Sequence, residues 1–401
     1  MANALLTIDQ ITRKSLEILE NSLVVTRNVN RQYDESFAVS GAKIGSALRI
    51  RLPDRALVTD GAALGVQDEN EQSTTLTVST QKHVGMNFSS AELSLSLDDF
   101  AERIIKPRVS QLAASVDADV TARAYQAIYH SVGTPGATPS TSLVLLQAQQ
   151  KLNEMAATSG MRYATVNPAA NAALVEGMKG FFNPSDTISK QFKSGFMGDG
   201  ILGYDEINMS QSVASHLNGN WGTTITSTAT VATEGASTLG ISFTGSGSTW
   251  KVGDVFTVAN VFSVNPQTRQ STGSLQQFTV TADLTATTTG TVSISPAIYT
   301  SANALATVDS FPQAAAVITM LGTAAKSYAQ NLVYQKNAIT FATADLIMPQ
   351  GVDMASRQVH NGISLRIVRD YDINNDRMPC RIDVLYGSAT IRPEMACRIW
   401  G

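Results

Sequence analysis

Cysteine is nearly absent from this chain of 401 residues: Cys380 and Cys397 are the only two, too few for a disulfide framework and in keeping with a reducing cytosol. Both read as small buried hydrophobes. Charge is also scarce, at 15% of residues against roughly a quarter in ordinary soluble domains, so much of the surface is expected to face other protein. Neither sign dominates. With 29 Lys and Arg against 33 Asp and Glu, the net charge is -4, which argues against a chain whose main task is gripping nucleic acid. No apolar run approaches the roughly 18 residues a membrane span needs. Asp9, Arg13, Lys14, Glu17 and Glu20 interrupt the start of the chain, where a secretory segment would be apolar. What is present is a 43% hydrophobic fraction, ample for the cores of two or three packed domains.

Thr7 and Gln10 are spaced as in a capping box, and Ile8, Ile11, Leu16, Ile18, Leu19 and Leu23 form a stripe at helical spacing. This predicts an amphipathic helix over 7–22 that docks on a neighbouring segment or subunit. Residues 47–52 alternate, as do 74–80 and 84–88, with a long polar stretch between the first two runs. That pattern predicts a strand pair with a projecting loop, and a loop of such length is usually functional. Ser96, Asp98 and Asp99 suit a helix start, and Phe100, Ile104, Val109, Leu112, Val116, Val120 and Ala124 continue it to about Val132, with Pro107 kinking it or opening its second half. A helix over 141–157 follows. A short strand then leads into Asn167 and Pro168, a cap followed by proline at the first helical position.

Between Thr223 and Ser310 more than a third of residues are Ser or Thr, and only Glu234, Lys251, Asp254, Arg269, Asp283 and Asp309 are charged. Alternating runs such as Val255, Thr257, Val258 and Val261 predict an all-β sandwich or small barrel. Mixed α+β character resumes after Tyr328, so this module reads as an insertion. Residues 363–368 and 381–385 predict a hairpin turning at Asn374, Asn375 and Asp376, and a last strand is expected through Ala389 and Ile391.

Few residues suggest chemistry. Gly198, Gly200 and Gly203 spell Gly-x-Gly-x-x-Gly, but no buried strand precedes them and no helix pattern follows, so a flexible glycine loop is the better reading than a nucleotide site. Asp370, Asp372, Asn374 and Asp376 resemble alternating calcium ligands, yet Asn375 and Arg381 stand where glycine and a bidentate glutamate are needed. A solvated turn fits better. His83, His130, His216 and His360 have no zinc-site spacing, and there is neither a Gly-x-Ser-x-Gly elbow nor a phosphate-binding lysine loop. No catalytic residue, cofactor site or metal site is assigned, and an enzyme is not expected.

At the C-terminus Cys380, Arg381 and Ile382, then Tyr386 and Gly387, then Arg392, Pro393 and Glu394 resemble the closing strands of P-22-type coat proteins of tailed bacteriophages, which have the Hong Kong 97 capsid fold. Ser90 to Leu93 leading to Asp98, Asp99 and Phe100 is similar to that family's entry to its spine helix. Asn167 with Pro168, and Gly203 to Glu206, are similar to its central domain, and Tyr328, Gln330, Asn331 and Leu332 to the return from its inserted domain.

The resemblance implies an α+β capsid fold. Its parts would be an N-terminal arm over 1–44, an extended β loop over 45–88, and a spine helix with peripheral domain over 89–160. The axial domain would take 161–217 and 326–350, an inserted all-β domain 218–325, and peripheral strands 351–401. It implies a non-catalytic major capsid protein that assembles as pentamers and hexamers into an icosahedral shell around double-stranded DNA, without sequence-specific binding and without a membrane. Scaffolding, portal and decoration proteins would be its partners, the virion its place, and the host bacterial cytoplasm its site of assembly. Ile8, Ile11, Ile50, Leu76, Asn374, Asp376, Arg392 and Glu394 are the expected assembly residues. The alternative is a β-rich tail or decoration protein whose Ser/Thr-rich module binds a receptor or glycan.

Overall fold

The computed structural model describes residues 8–31, 46–53, 72–88, 104–178, 198–245, 247–373 and 377–401, together with 55, 56, 61 and 66. Helices α1 (Ile8–Ser22) and α2 (Val25–Asn28) come first, then strands β1 (Ser46–Arg51), β2 (Ser73–Val78) and β3 (Thr80–Phe88). Helix α3 (Lys106–Ala127), β4 (Ser131–Val132), α4 (Ser142–Glu154), β5 (Arg162–Val166) and α5 (Pro168–Gly177) follow. Next are β6 (Gly198–Ile201), β7 (Tyr204–Met209), β8 (Ser215–Leu217), β9 (Thr223–Ser227), β10 (Ala236–Thr244), β11 (Ser248–Trp250) and β12 (Val255–Val264). The series continues with β13 (Ser271–Val280), β14 (Leu284–Ala286), β15 (Thr289–Ile298), β16 (Ile318–Met320), β17 (Ser327–Gln335) and β18 (Ile339–Thr343). It closes with β19 (Met354–His360), β20 (Ile363–Arg369), β21 (Met378–Thr390) and β22 (Ala396–Trp400).

Two compact units result: one of Met1–Ile50, Thr74–Thr121 and Ile339–Ala389, the other of Arg51–Ser73, Ala122–Ala338 and Thr390–Gly401. In the first unit β21 is the long central strand of a five-stranded sheet. It pairs with β20 from Arg366↔Asp383 to Arg369↔Cys380, and with β3 over nine positions from Met378↔Phe88 to Tyr386↔Thr80. Helix α1 lies on β19 and β20. Leu16, Leu19 and Leu23 are all buried, which stabilises the packed helix by about 2 kcal/mol each. The amphipathic stripe is therefore covered by a segment of its own chain.

Pro107 is the second residue of the α-helical run α3. Helical residues precede it, Ile104 and Ile105 forming a π turn that runs directly into α3, so Pro107 starts the second part of the helix; residues 97–103 of the expected helix lie outside the described residues. Val109, Leu112, Val116 and Val120 are buried at three- and four-residue spacing. The helix ends at Ala127, short of the expected Val132, because Ser131 and Val132 pair in parallel with Arg398 and Ile399. A β-branched valine gains more from that pairing than from another helical turn.

On the buried face of α3, Asp117 accepts from the backbone N–H groups of Val24 (2.6 Å), Val25 (3.4 Å) and Thr26 (3.0 Å) and from the Thr26 hydroxyl. It thus caps the N-terminal end of α2 from 93 positions away. Burial pushes its carboxyl above the usual range, against the pull of these donors.

The second unit contains a seven-stranded mixed sheet in the order β4-β22-β17-β5-β7-β6, with β8 also paired to β17. Helices α4 and α5 cover it through Leu145, Ala148, Leu152, Ala170 and Leu174. As expected, Asn167 caps α5, its side chain accepting from Ala170 N at 2.8 Å, with Pro168 next. The closing strand differs from expectation: Ala389 is part of β21, and the last strand is β22, in the seven-stranded sheet.

Between Thr223 and Met320 the regular elements are all strands. Six follow the order β16-β12-β13-β15-β10-β9, and the two ends meet. Thr226 and Val317 form an antiparallel bridge, Ser227 N donates to Ala316 O at 2.9 Å, and Ala315 N donates to Ser227 O at 2.9 Å. The sheet is a closed barrel, which removes the exposed edges an open sheet would carry. Phe256 stacks on Phe278 at 5.7 Å and meets Trp250 edge-on at 5.6 Å within its core.

Replacing Asp117 by Asn keeps the shape but turns one acceptor into a donor facing N–H groups. Asp117→Asn is expected to destabilise the protein by about 2 kcal/mol. The exposed Ser110→Ala on the same helix should change stability by less than about 0.5 kcal/mol; urea denaturation compares the two.

Candidate functional site

In the second unit the barrel is joined to the seven-stranded sheet by a seam of buried polar groups. Strand β22 carries Arg398, opposite Leu332 of β17, with no exposed surface. Its Nη1 donates to Gly253 O at 2.8 Å and its Nη2 to Thr279 Oγ1 at 3.3 Å, and the rings of Tyr125 and Trp400 each lie 5.9 Å from the guanidinium carbon. Burial lowers its pKa to about 10, against opposing pulls from Tyr125, Asp254 and Cys397. The group is therefore still cationic at neutral pH.

Asp254, also fully buried, stands at the sharp turn before β12. It accepts from Lys251 N at 2.8 Å, from Gly219 N at 3.2 Å and from His216 Nε2 at 2.8 Å. A carboxylate can only accept, so in the neutral ring Nε2 carries the proton and Nδ1 accepts from the Tyr125 hydroxyl at 3.4 Å. A carboxylate, a histidine and a hydroxyl in line look like an acid–base relay. His216 is 2% exposed and Asp254 is sealed, so no substrate atom reaches them and the arrangement is a structural brace.

Gln277 of β13 completes the seam. Its Oε1 accepts from Ser131 N at 2.7 Å and its Nε2 donates to Ser131 O at 2.9 Å. The amide side chain thus takes the place of a neighbouring strand beside β4, which lies at the sheet edge. Asn265 Nδ2 donates to Glu154 O at the end of α4 (2.7 Å), and Lys151 Nζ donates to Ser274 Oγ (2.8 Å). Nearby, burial and then Lys151 lower His130 to a pKa of about 3, so that ring is neutral. Burial likewise pushes the thiols of Cys380 and Cys397 up to about 12, which leaves them unreactive.

The first unit carries an open cleft of about 960 Å3 over β3, β20 and β21, bordered by His83, Arg108, Arg366, Asp370 and Arg381. Asp383 lies buried among them, held by Arg366 Nη2 (2.7 Å), Arg381 Nε (2.6 Å) and Gln81 Nε2 (3.1 Å). Burial alone would raise its carboxyl, but these three donors outweigh it and hold it below the usual range.

Of the eight expected assembly residues, five have described side chains. Ile50 and Leu76 are buried in β1 and β2, and Ile11 is half-buried on α1. Glu394 accepts from Arg55 at 3.3 Å in the second unit, where the Arg392 guanidinium lies 3.9 Å from the Met395 sulfur. The Ile8 side chain, Asn374 and Asp376 lie outside the described residues. Those last two are half of the calcium-like positions; of the other half, Asp372 N donates to Arg377 O at 2.9 Å. Among the described residues no group of three or more His, Cys, Asp or Glu side chains is placed to hold a metal ion. The glycine motif is a tight hairpin rather than a flexible loop: Leu202 (φ 52°) and Gly203 (φ 77°) form the two-residue turn between β6 and β7. Sequence reading missed the seam altogether. Its one signal was Arg398 inside an otherwise apolar strand.

Two outcomes follow from these geometries. Gln277→Glu puts an oxygen against Ser131 O in place of a donor, and should lower stability by about 2 kcal/mol in urea denaturation. Asp383 is depressed in the folded state, so its contribution is full above the unfolded carboxylate pKa and is lost as pH falls through the folded value. Asp383→Asn should flatten that acid limb in a pH series of urea midpoints. At neutral pH it should cost about 2 to 3 kcal/mol, the half-exposed Arg381 contributing little.

Against known proteins, the family model described as P22 coat protein, gene protein 5, matches residues 1–401. Among solved structures the chain is similar to one from Mycobacterium phage Che8, with a TM-score of 0.48 and 11% identity over 94% of this chain and 90% of that one. It is also similar to the capsid of Ralstonia phage GP4 (TM-score 0.45, 9% identity, 100% and 93% covered) and to the mature capsid of bacteriophage PhiM1 (0.41, 12%, 88% and 81%). These TM-scores are all below 0.5, so the assignment rests on the family model. No curated protein matches the chain. With the match running from the first residue to the last, the chain belongs to the P22 coat protein family of phage capsid proteins.

Proposed function

We propose that this chain is the subunit of an icosahedral phage head, assembling through pentamers and hexamers into a procapsid and then a mature shell around double-stranded DNA. The observation that carries the reading is the family match over residues 1–401. The chain is read as a Hong Kong 97-like fold: an N-terminal arm over 1–44, an extended loop over 45–88, spine helix and peripheral domain over 89–160, axial domain over 161–217 and 326–350, and an inserted β domain over 218–325. The peripheral strands, expected over 351–401, are taken to end at about Thr390, since β22 pairs with β17 and β4.

Physical features support this reading. The barrel is closed on itself and braced by buried polar contacts, so it presents a rigid surface without free edges. The strand pair β1 and β2 flanks a long polar segment that a neighbouring subunit would cover. A contact repeated around closed rings holds every subunit by several neighbours, so interfaces of modest strength suffice. A net charge of -4 gives a wall that does not adhere to DNA. Scaffolding, portal and decoration proteins are the partners of this reading, with assembly in the host bacterial cytoplasm and no catalytic step.

Expression with and without a co-expressed scaffolding protein, followed by negative-stain microscopy, tests the proposal. Closed shells are expected in at least one condition; only small open oligomers in every condition would contradict it.

A further inference from the structure

Asn361 and Gly362 form the two-residue turn between β19 and β20, with φ of 47° and 76°, the left-handed pair that a tight hairpin requires. Asn361 is exposed. Its Nδ2 donates to Glu20 Oε1 at 2.6 Å and to His360 Nε2 at 3.3 Å. His360 Nε2 also lies 3.4 Å from Glu20 Oε2, and Arg31 Nη1 3.9 Å from Glu20 Oε1. The turn therefore holds the last turn of α1 through one carboxylate. Gly362 is itself buried, yet it has no Cβ standing between its backbone nitrogen and the Asn361 side chain, and no hydrogen bond of the described residues uses that N–H.

We propose that Asn361 is a self-modifying site whose deamidation releases the end of α1 from this hairpin. The Gly362 nitrogen attacks Asn361 Cγ and forms an N–C bond. The bond from Cγ to the side-chain nitrogen breaks, and that nitrogen leaves as ammonia, taking up the proton given up by Gly362. His360, already beside the departing nitrogen, is the nearest group able to relay that proton. Water then adds to either carbonyl of the succinimide and opens it to aspartate or isoaspartate. The new carboxylate faces Glu20 where a donor stood, and the attraction becomes a repulsion of like charges that Arg31 offsets only in part.

Ring closure needs the backbone to leave its left-handed turn. The bond from Asn361 to Glu20 opposes that opening, so α1 gates the reaction as the reaction loosens α1. The other Asn-Gly pair in the chain is a built-in control. Asn218 is 2% exposed with its Nδ2 donating to Leu321 O and Thr323 O, and Gly219 N donates to Asp254, so its nitrogen is engaged.

The test ages the full chain in mildly alkaline buffer at physiological temperature and maps peptides for amide-to-acid conversion and isoaspartate. Conversion is expected at Asn361 and not at Asn218, severalfold faster in Glu20→Ala. In Asn361→Asp, hydrogen exchange should show lost protection in the last turn of α1 while β20 stays protected. An intact Asn361 under conditions that deamidate a free peptide of the same sequence would overturn the proposal, as would an unchanged rate in Glu20→Ala.

Discussion

Arg398 is a guanidinium with no access to water, and its surroundings must replace what water would have supplied. A carbonyl from the turn before β12, a hydroxyl from β13 and two aromatic faces supply part of it, while its Nε has no hydrogen-bond partner among the described residues. Those groups come from the barrel, from α3 and from β22 itself, so the cation keeps its two hydrogen bonds only when barrel and sheet are in register. Breaking the arrangement leaves a buried charge without partners, an outcome that costs several kcal/mol. Such a seam fixes one docking geometry, where an apolar contact would tolerate sliding.

The same logic recurs around it. Asp254 is the counter-charge, and it spends its acceptor capacity on the Lys251, Gly219 and His216 donors. Gln277 covers the edge at β4 with an amide in place of a strand. The barrel has joined its own ends, so its pairing groups are used internally. In the proposed shell this matters, because unsatisfied edges left on the barrel would pair with the wrong copy.

Local spacing made much of the fold legible. The leucine stripe of α1, the Asn167 cap with Pro168, and the alternation in β12 and β13 depend on neighbours within a few residues, and all are where the sequence places them. What was not legible depends on partners far along the chain. Asp117 capping α2 and Gln277 pairing with Ser131 are invisible to spacing, since each is one polar residue among many. Strand β22 went unread because Arg398 breaks its apolar run, although every residue from Ala396 to Trp400 is buried. The helical pattern of α3 was read too far because Val132 satisfies helix and strand spacing alike, and only the pairing with β22 decides between them.

The central claim is that barrel and seven-stranded sheet form one cooperative unit through the buried seam. Native-state hydrogen exchange tests it most directly. The slowest amides of β12 and β13 and those of β17 and β22 are predicted to exchange through a single opening with one shared free energy. Two distinct openings, with the sheet strands exchanging while the barrel stays fully protected or the reverse, would contradict the account.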